Sequence, residues 1–277
     1  MAFRSCALSI DLESWVHRDF LFVDSETRKK IDNGYIDKTT DLLLDLLRQH
    51  RRKVTFFVVS EIFEWYPDLI IRIEGEGHEI AHHTHTHRRI ASEEVLLDEL
   101  RSSQRFLQEF KPVGFRAPEA RLDESCVKML ASYGFQYDSS SYGLLKTSRF
   151  VDSVLEIPVS TFRFRRVSNP STLPRNISKL LLTKELPFGS GFFLSAMGRF
   201  GSLVPELLQM QNEVPVMFVH PWQIQPYLSH GSHTSVTSRS IAMQLYSKKC
   251  DHSLVRILKH FETVRLCDLA RRLNEQS

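Results

Sequence analysis

Cysteine is sparse in this 277-residue chain, and Cys6, Cys126, Cys250 and Cys267 form no C-x-x-C pair. Such scatter excludes a disulfide framework as the organising device and suits free thiols in a reducing compartment, although Cys250 and Cys267 could be spatial neighbours. No run reaches the roughly 18 uninterrupted apolar residues of a membrane span. The start, MAFRSCALSIDLESW, lacks the basic head, apolar core and small-residue cleavage site of a secretory leader. These absences predict a cytoplasmic protein with no transmembrane segment, compatible with peripheral membrane contact. A net charge of +3 is small for the length and carries no nucleic-acid footprint, so no nucleic-acid partner is expected. Linkers, repeats and low-complexity segments are missing too, and residues 1–277 read as one domain.

What is present is the composition of a globular protein, 42% hydrophobic and 25% charged. Short apolar runs alternate with helical patterns. Ala7–Ile10, Lys53–Val59, His78–Ala81, Val113–Arg116, Phe135–Tyr137 and Val214–Val219 read as strands. Thr39–His50, Ser60–Arg72, Ser92–Phe110 and Asp123–Tyr133 read as helices between them, with Ser60 and Ser92 as N-caps. Alternation of this kind argues for parallel strands joined by right-handed crossovers. Residues 139–200 break the rhythm and read as a partly irregular insertion; Leu155–Phe164 is extended, with Pro158 demoting it to an edge. The C-terminal part reads as a short helix Pro205–Gln211, a polar loop Tyr227–Ser240 with His230 and His233, and a helix Ser240–Phe261. A last strand Val264–Leu266 and a last helix Cys267–Asn274 follow.

Five of the twelve histidines fall between His78 and His87. Neutral imidazole is the commonest metal ligand, and His83 and His87, four apart, can face the same way on a helix or a strand. A solvated histidine-rich loop has the same composition, so a metal reading needs a carboxylate from elsewhere. Asp11 and Glu13 supply candidates: they end the first strand and alternate with Leu12, which on extended backbone points both the same way. Arg116, Asp138 and His220 also lie just past predicted strand ends, where active groups of parallel α/β folds collect. The cluster Arg163, Arg165 and Arg166 reads as a solvated face before a phosphate or acidic-sugar site.

In this order the motifs resemble the polysaccharide deacetylases of carbohydrate esterase family four, the NodB homology domain. The matching stretches are Ser9-Ile10-Asp11-Leu12-Glu13, Gly77-His78-Glu79-Ile80 with His83-Thr84-His85-Thr86-His87, Phe115-Arg116-Ala117-Pro118, Tyr137-Asp138-Ser139-Ser140 and Val219-His220-Pro221-Trp222. Within the family the chain is most similar to a branch with Asp-x-Glu in the first motif and His-Pro-Trp in the fifth. The resemblance implies an α/β fold, a single distorted (β/α)7-type barrel, and one divalent metal ion, expected to be zinc. It implies Asp11 as base, Arg116 orienting that base, His220 as acid and Asp138 tuning the acid. Metal ligands would be His83, His87 and, because Leu12 stands where most relatives have aspartate, Glu13. Gly189-Ser190-Gly191-Phe192-Phe193 resembles that branch's Gly-Gly-Gly-Tyr-Phe-Arg motif, with Leu194 in place of the arginine. Phe192 and Phe193 are therefore substrate-contact candidates, as is Trp222, whose indole is equally suited to the core.

The implied activity is metal-dependent removal of an N-acyl, typically acetyl, group from an amino sugar of a surface polysaccharide or its nucleotide- or lipid-linked precursor. The implied partner is thus an N-acetylated sugar or glycan precursor. A small-amide hydrolase of the allantoinase-like type is the alternative that Leu12 keeps open. A non-catalytic glycan-binding relative is a third, weakened by the presence of base, acid and ligands together.

Overall fold

The computed structural model describes residues 4–163, 185–225 and 249–276. The long strand β1 (Ser5–Leu12) lies at the centre of the sheet. On one side of it come β2 (Thr55–Val58), β3 (Glu79–His82), β4 (Gly114–Phe115) and β5 (Tyr137–Asp138). Four short strands follow in the chain: β6 (Tyr142–Gly143), β7 (Arg149–Val151), β8 (Val154–Glu156) and β9 (Val159–Ser160). Strands β10 (Phe162–Arg163) and β11 (Glu185–Leu186) form a separate antiparallel pair. On the other side of β1 lies β12 (Val216–Val219), while β13 (Glu262–Thr263) pairs with its first residues.

From β12 through β1, β2, β3, β4 and β5 to β8 every pairing is parallel, seven strands in all. The ring is completed at Gly189. Its N–H donates to the Ser160 carbonyl oxygen just past β8 (2.8 Å), and its own carbonyl accepts from Phe218 N–H of β12 (2.9 Å). A Cβ there would lie 2.4 Å from the Val216 carbonyl oxygen and 2.8 Å from that of Ser160, so only glycine fits the seam. The architecture is the expected distorted (β/α)7-type barrel.

The strands read as continuous apolar runs because both of their faces are covered. Leu8, Ile10, Leu12, Phe56 and Val58 are fully buried, each contributing about 1.5–3 kcal/mol through burial. Helix α3 (Tyr35–Gln49) turns Ile36, Leu43, Leu44 and Leu47 inward and leaves Leu42 exposed. It is preceded by two short helices absent from the sequence-based expectation, α1 (Trp15–Asp19) and α2 (Ser25–Asp32).

Two expected helices are each broken in two. Ser60–Arg72 becomes α4 (Glu61–Trp65) and α5 (Pro67–Gly75), because Pro67 forces Tyr66 out of the helical region (φ −139°, ψ 70°). Ser60 makes no cap bond; its hydroxyl lies 2.9 Å from His85 Nδ1 and 2.9 Å from Ser103 Oγ. Ser92–Phe110 splits at Ser103 into α6 (Glu93–Ser102) and α7 (Gln104–Phe110). The run Asp123–Tyr133 forms α8 (Glu124–Ser132). The stretch Gly189–Leu194 enters a helix, α9 (Gly191–Ala196), followed by α10 (Val204–Gln209). Near the C-terminus α11 (Asp251–His260) precedes β13, and α12 (Leu266–Glu275) starts where a strand was expected. Its first turn is held by Thr55 Oγ1, which accepts from Leu266 N–H, and by the Glu79 carboxylate, which accepts from Cys267 N–H. Arg165, Arg166, Lys179–Thr183 and the loop with His230 and His233 lie outside the described residues. No described helix is long and apolar enough to cross a membrane.

His78 and His82 are structural. Burial pushes the first down to about 4 and the second to about 3 from the usual 6.5, so both are neutral in the folded chain. His78 Nδ1 accepts from Val54 N–H and His82 Nε2 meets Ser103 Oγ at 2.8 Å. The unfolded chain therefore binds two more protons between pH 6.5 and about 4. Stability is full above pH 6.5 and is expected to fall below it, with a slope approaching about 3 kcal/mol per pH unit near pH 5. Urea unfolding measured from pH 7.5 to 5 checks this; a flat profile would mean that these imidazoles are not buried as neutral rings.

Candidate metal centre and catalytic site

The side chains of interest meet at the C-terminal mouth of the barrel. Asp11 ends β1, and the chain then curls rather than continuing straight: Glu13 N–H donates to the Asp11 carbonyl oxygen at 3.0 Å. Leu12 points into the core with no exposure, while the tight turn swings Glu13 into the mouth. The extended-strand argument for Asp11 and Glu13 is thus replaced by a turn.

His83 and His87 lie on neither helix nor strand. They follow β3 in a loop where Thr84 and His87 both take left-handed backbone (φ 64°), a conformation that a β-branched threonine adopts only under constraint. The loop is tied on several sides. Ser60 N–H donates to the Thr84 carbonyl, Glu61 N–H to that of His85, and His87 N–H to Thr84 Oγ1. Glu99 of α6, buried beneath, accepts from His85 N–H (2.8 Å), Thr86 N–H (2.8 Å) and Thr86 Oγ1 (2.9 Å). His85 itself is turned toward Ser60 and serves the loop's structure.

This folding brings one ligand atom each of Glu13, His83 and His87 within 4.8 Å of one another. His83 donates its Nδ1 proton to the Arg116 carbonyl oxygen at 2.6 Å, which leaves Nε2 as the free lone pair. Burial lowers His83 to about 4, so the ring is neutral and able to ligate at ordinary pH. His87 Nε2 lies 2.9 Å from Glu13 Oε2, yet that buried oxygen has no partner in hydrogen-bond geometry among the described residues. Two lone-pair donors in contact without a bonding direction between them are what a cation site requires. Burial disfavours charge on Glu13, but His87 and His220 outweigh it and hold the carboxyl well below its usual range. Burial likewise opposes charge on His87, and the Glu13 carboxylate overcomes it and raises that ring. Two imidazoles and a carboxylate suit a divalent ion of the zinc type.

Glu99→Gln puts an amide N–H₂ group against backbone donors and loosens the span that carries both histidines. Zinc titration of the metal-free variant is expected to show affinity about tenfold weaker or worse. Affinity equal to wild type would show that the loop holds its shape unaided.

Beside the cluster, Arg116 Nη1 donates to Asp11 Oδ1 at 2.6 Å and to Ser9 Oγ at 2.9 Å. Its Nε and Nη2 donate to Ser139 O and Oγ, and its guanidinium sits 4.0 Å from the centre of the Phe57 ring. Arg116 is 1% exposed and Asp11 3%, so this is a fully desolvated ion pair with every guanidinium nitrogen bonded. His220, just past β12, brings Nε2 to 3.1 Å from Glu13 Oε1.

Asp138 sits elsewhere than its expected role requires. Its carboxylate accepts from Ser140 N–H (3.2 Å) and Ser140 Oγ (2.5 Å), and burial pushes it up to about 7. The side chain at His220 Nδ1 is Gln223, at 3.2 Å. Trp222 is 1% exposed and stacks on His220 (4.4 Å, 13°), so it walls the acid rather than offering a face to a sugar. Phe193 packs against the core beside Phe188, with Phe192 edge-on to it at the start of α9. Leu194 is fully buried. Sequence reasoning does not assign roles to Gln223, Ser9, Ser139 or Glu99. Only Gln223 carries a sequence signal, its i+3 spacing from His220.

A family model described as polysaccharide deacetylase matches residues 30–137. A peptidoglycan-N-acetylglucosamine deacetylase of Bacillus cereus is 30% identical over 109 residues, 38% of this chain and 51% of the relative. A chitooligosaccharide deacetylase of Bradyrhizobium is 33% identical over 135 residues, 45% of this chain and 62% of the relative. The first of these matches thus spans about half the relative's length. Among solved structures, the peptidoglycan deacetylase PdaC from Bacillus subtilis superposes with a TM-score of 0.51 at 12% identity, over 99% of this chain and 93% of that one, a likeness of fold.

Proposed function

From residues 30–137, which belong to the polysaccharide deacetylase family, we propose that the chain is a metal-dependent hydrolase that removes the acetyl group from an N-acetylated amino sugar. The observation that carries this reading is the convergence of the Glu13–His83–His87 cluster, the Asp11–Arg116 pair and His220 on one mouth. Bound at the cluster, a divalent ion supplies a water of lowered pKa and polarises the acyl carbonyl. Asp11, aimed by Arg116 through Oδ1, takes the proton from that water. His220 gives a proton from Nε2 to the nitrogen of the departing amine, a poor leaving group that needs a positioned acid. The Trp222 ring on His220 and the buried Phe218 beside it keep water from competing for that proton.

The relatives named above act on peptidoglycan N-acetylglucosamine and on chitooligosaccharides, which supports an N-acetylglucosamine-type sugar here. The Asp-x-Glu register suits the branch associated with surface-glycan biosynthesis. The four free thiols suit a precursor substrate in a reducing compartment. The test is acetate release from N-acetylglucosamine oligomers and nucleotide-linked N-acetylglucosamine by the zinc-loaded and chelator-stripped chain. Turnover that disappears on stripping and returns with zinc is expected. A chain that binds no divalent ion and releases no acetate sinks the proposal.

A further inference from the structure

Gln223 is completely buried and has no place in the chemistry above. Its Nε2 donates to the Gly191 carbonyl oxygen (2.6 Å) and meets Ser195 Oγ (2.6 Å). Its Oε1 accepts from His220 N–H at 2.9 Å. A carbonyl oxygen only accepts and a backbone N–H only donates, so the amide has one possible orientation. The oxygen is therefore the atom 3.2 Å from His220 Nδ1. The short turn that His220 caps also brings Gln223 N–H toward this ring edge, but that N–H is bonded to the His220 carbonyl oxygen at 3.0 Å. An acceptor facing Nδ1 requires a proton there.

We infer that Gln223 is a positioning residue that fixes His220 as the Nδ1–H tautomer, so that the proton exchanged in the reaction sits on Nε2. The inference rests on the reading of His220 as the acid. The aromatic rings against His220 cannot select the tautomer, since Trp222 stacks on its face and Phe218 meets it edge-on (5.3 Å, 81°). Apolar walls fix the plane of an imidazole but cannot distinguish its nitrogen edge from its carbon edge. Only a polar partner breaks that two-fold ambiguity. The proton balance is simple: Nε2–H passes to the leaving amine, Nε2 is left with a lone pair, and Nδ1–H stays with Gln223 throughout.

The inference also explains a glycine. A Cβ at position 191 would lie 2.2 Å from Gln223 Oε1, and Gln223, held at both ends, cannot yield. Gly191 is thus the space into which the orienting amide fits, which ties the Gly-Ser-Gly stretch to the acid.

Long-range ¹H–¹⁵N NMR on the full chain with labelled histidine, zinc-loaded, reads the tautomer directly and needs no turnover. Nδ1–H at His220 is expected, and a bare Nδ1 overturns the inference. Two variants, Gln223→Met and Gly191→Ala, are then compared on an N-acetylglucosamine tetramer and on 4-nitrophenyl acetate, whose leaving group needs no acid. Amide turnover is expected to fall about 100-fold and ester turnover less than about threefold, with zinc content unchanged. Equal losses on both substrates, or loss on neither, would refute the positioning role. If the wild type cleaves no amide, the proposed function fails while the NMR still decides the tautomer.

Discussion

Asp11→Asn is expected to lower deacetylation by about 1,000-fold while the chain still folds and still takes up zinc. Asparagine keeps an oxygen for Arg116 Nη1 but cannot accept a proton from water. The ion pair uses Oδ1, so in the wild type Oδ2 is the oxygen left to do the chemistry. The substitution also leaves a buried guanidinium without its counter-charge, which costs about 3 kcal/mol. That cost is bearable because Arg116 keeps its bonds to Ser9, Ser139 O and Ser139 Oγ and its place over the Phe57 ring. Thermal unfolding should therefore show a lower midpoint with an unchanged single transition. Steady-state kinetics with zinc in excess decides the matter. Turnover within tenfold of wild type would remove Asp11 from the role of base.

The second large effect concerns Glu13. Glu13→Gln should weaken zinc binding by at least about 100-fold, more than the loss of an outer hydrogen bond typically costs. The neutral amide removes the charge that draws His87 and His220 together, since Oε2 faces His87 and Oε1 faces His220. A shortened carboxylate, Glu13→Asp, keeps the charge but loses a methylene of reach, and should lie between the two. Competition titration against a chromophoric chelator measures all three. Unchanged zinc affinity in Glu13→Gln would mean that the third ligand comes from another side chain, and Asp11, on the same mouth, would be the first to examine.

Much of this was legible in the sequence because it is local. Apolar runs that end in polar groups mark buried parallel strands, and the alternation with helical patterns implies a barrel of crossovers. The spacing of His83 and His87, and their order relative to Asp11, Arg116 and His220, survives any detail of the loops between them. Helix ends were less legible. Ser60 and Ser103 look like caps or helix interior by composition, yet each spends its hydroxyl on a histidine from another element, and local propensity cannot register a partner that the chain brings from twenty or more residues away.

Tertiary structure alone decided three things. It turned Glu13 into the mouth through a tight bond to the Asp11 carbonyl rather than along an extended strand. It gave the acid's Nδ1 edge to Gln223 and directed Asp138 to Ser140. It also made Gly189 and Gly191, which on paper are turn residues, into a barrel seam and a pocket for an amide. Which residues can do chemistry is written in their types and order. Which of them touch is set by packing between segments far apart in the chain, where a single Cβ or a single hydrogen bond selects among neighbours that the sequence leaves equivalent.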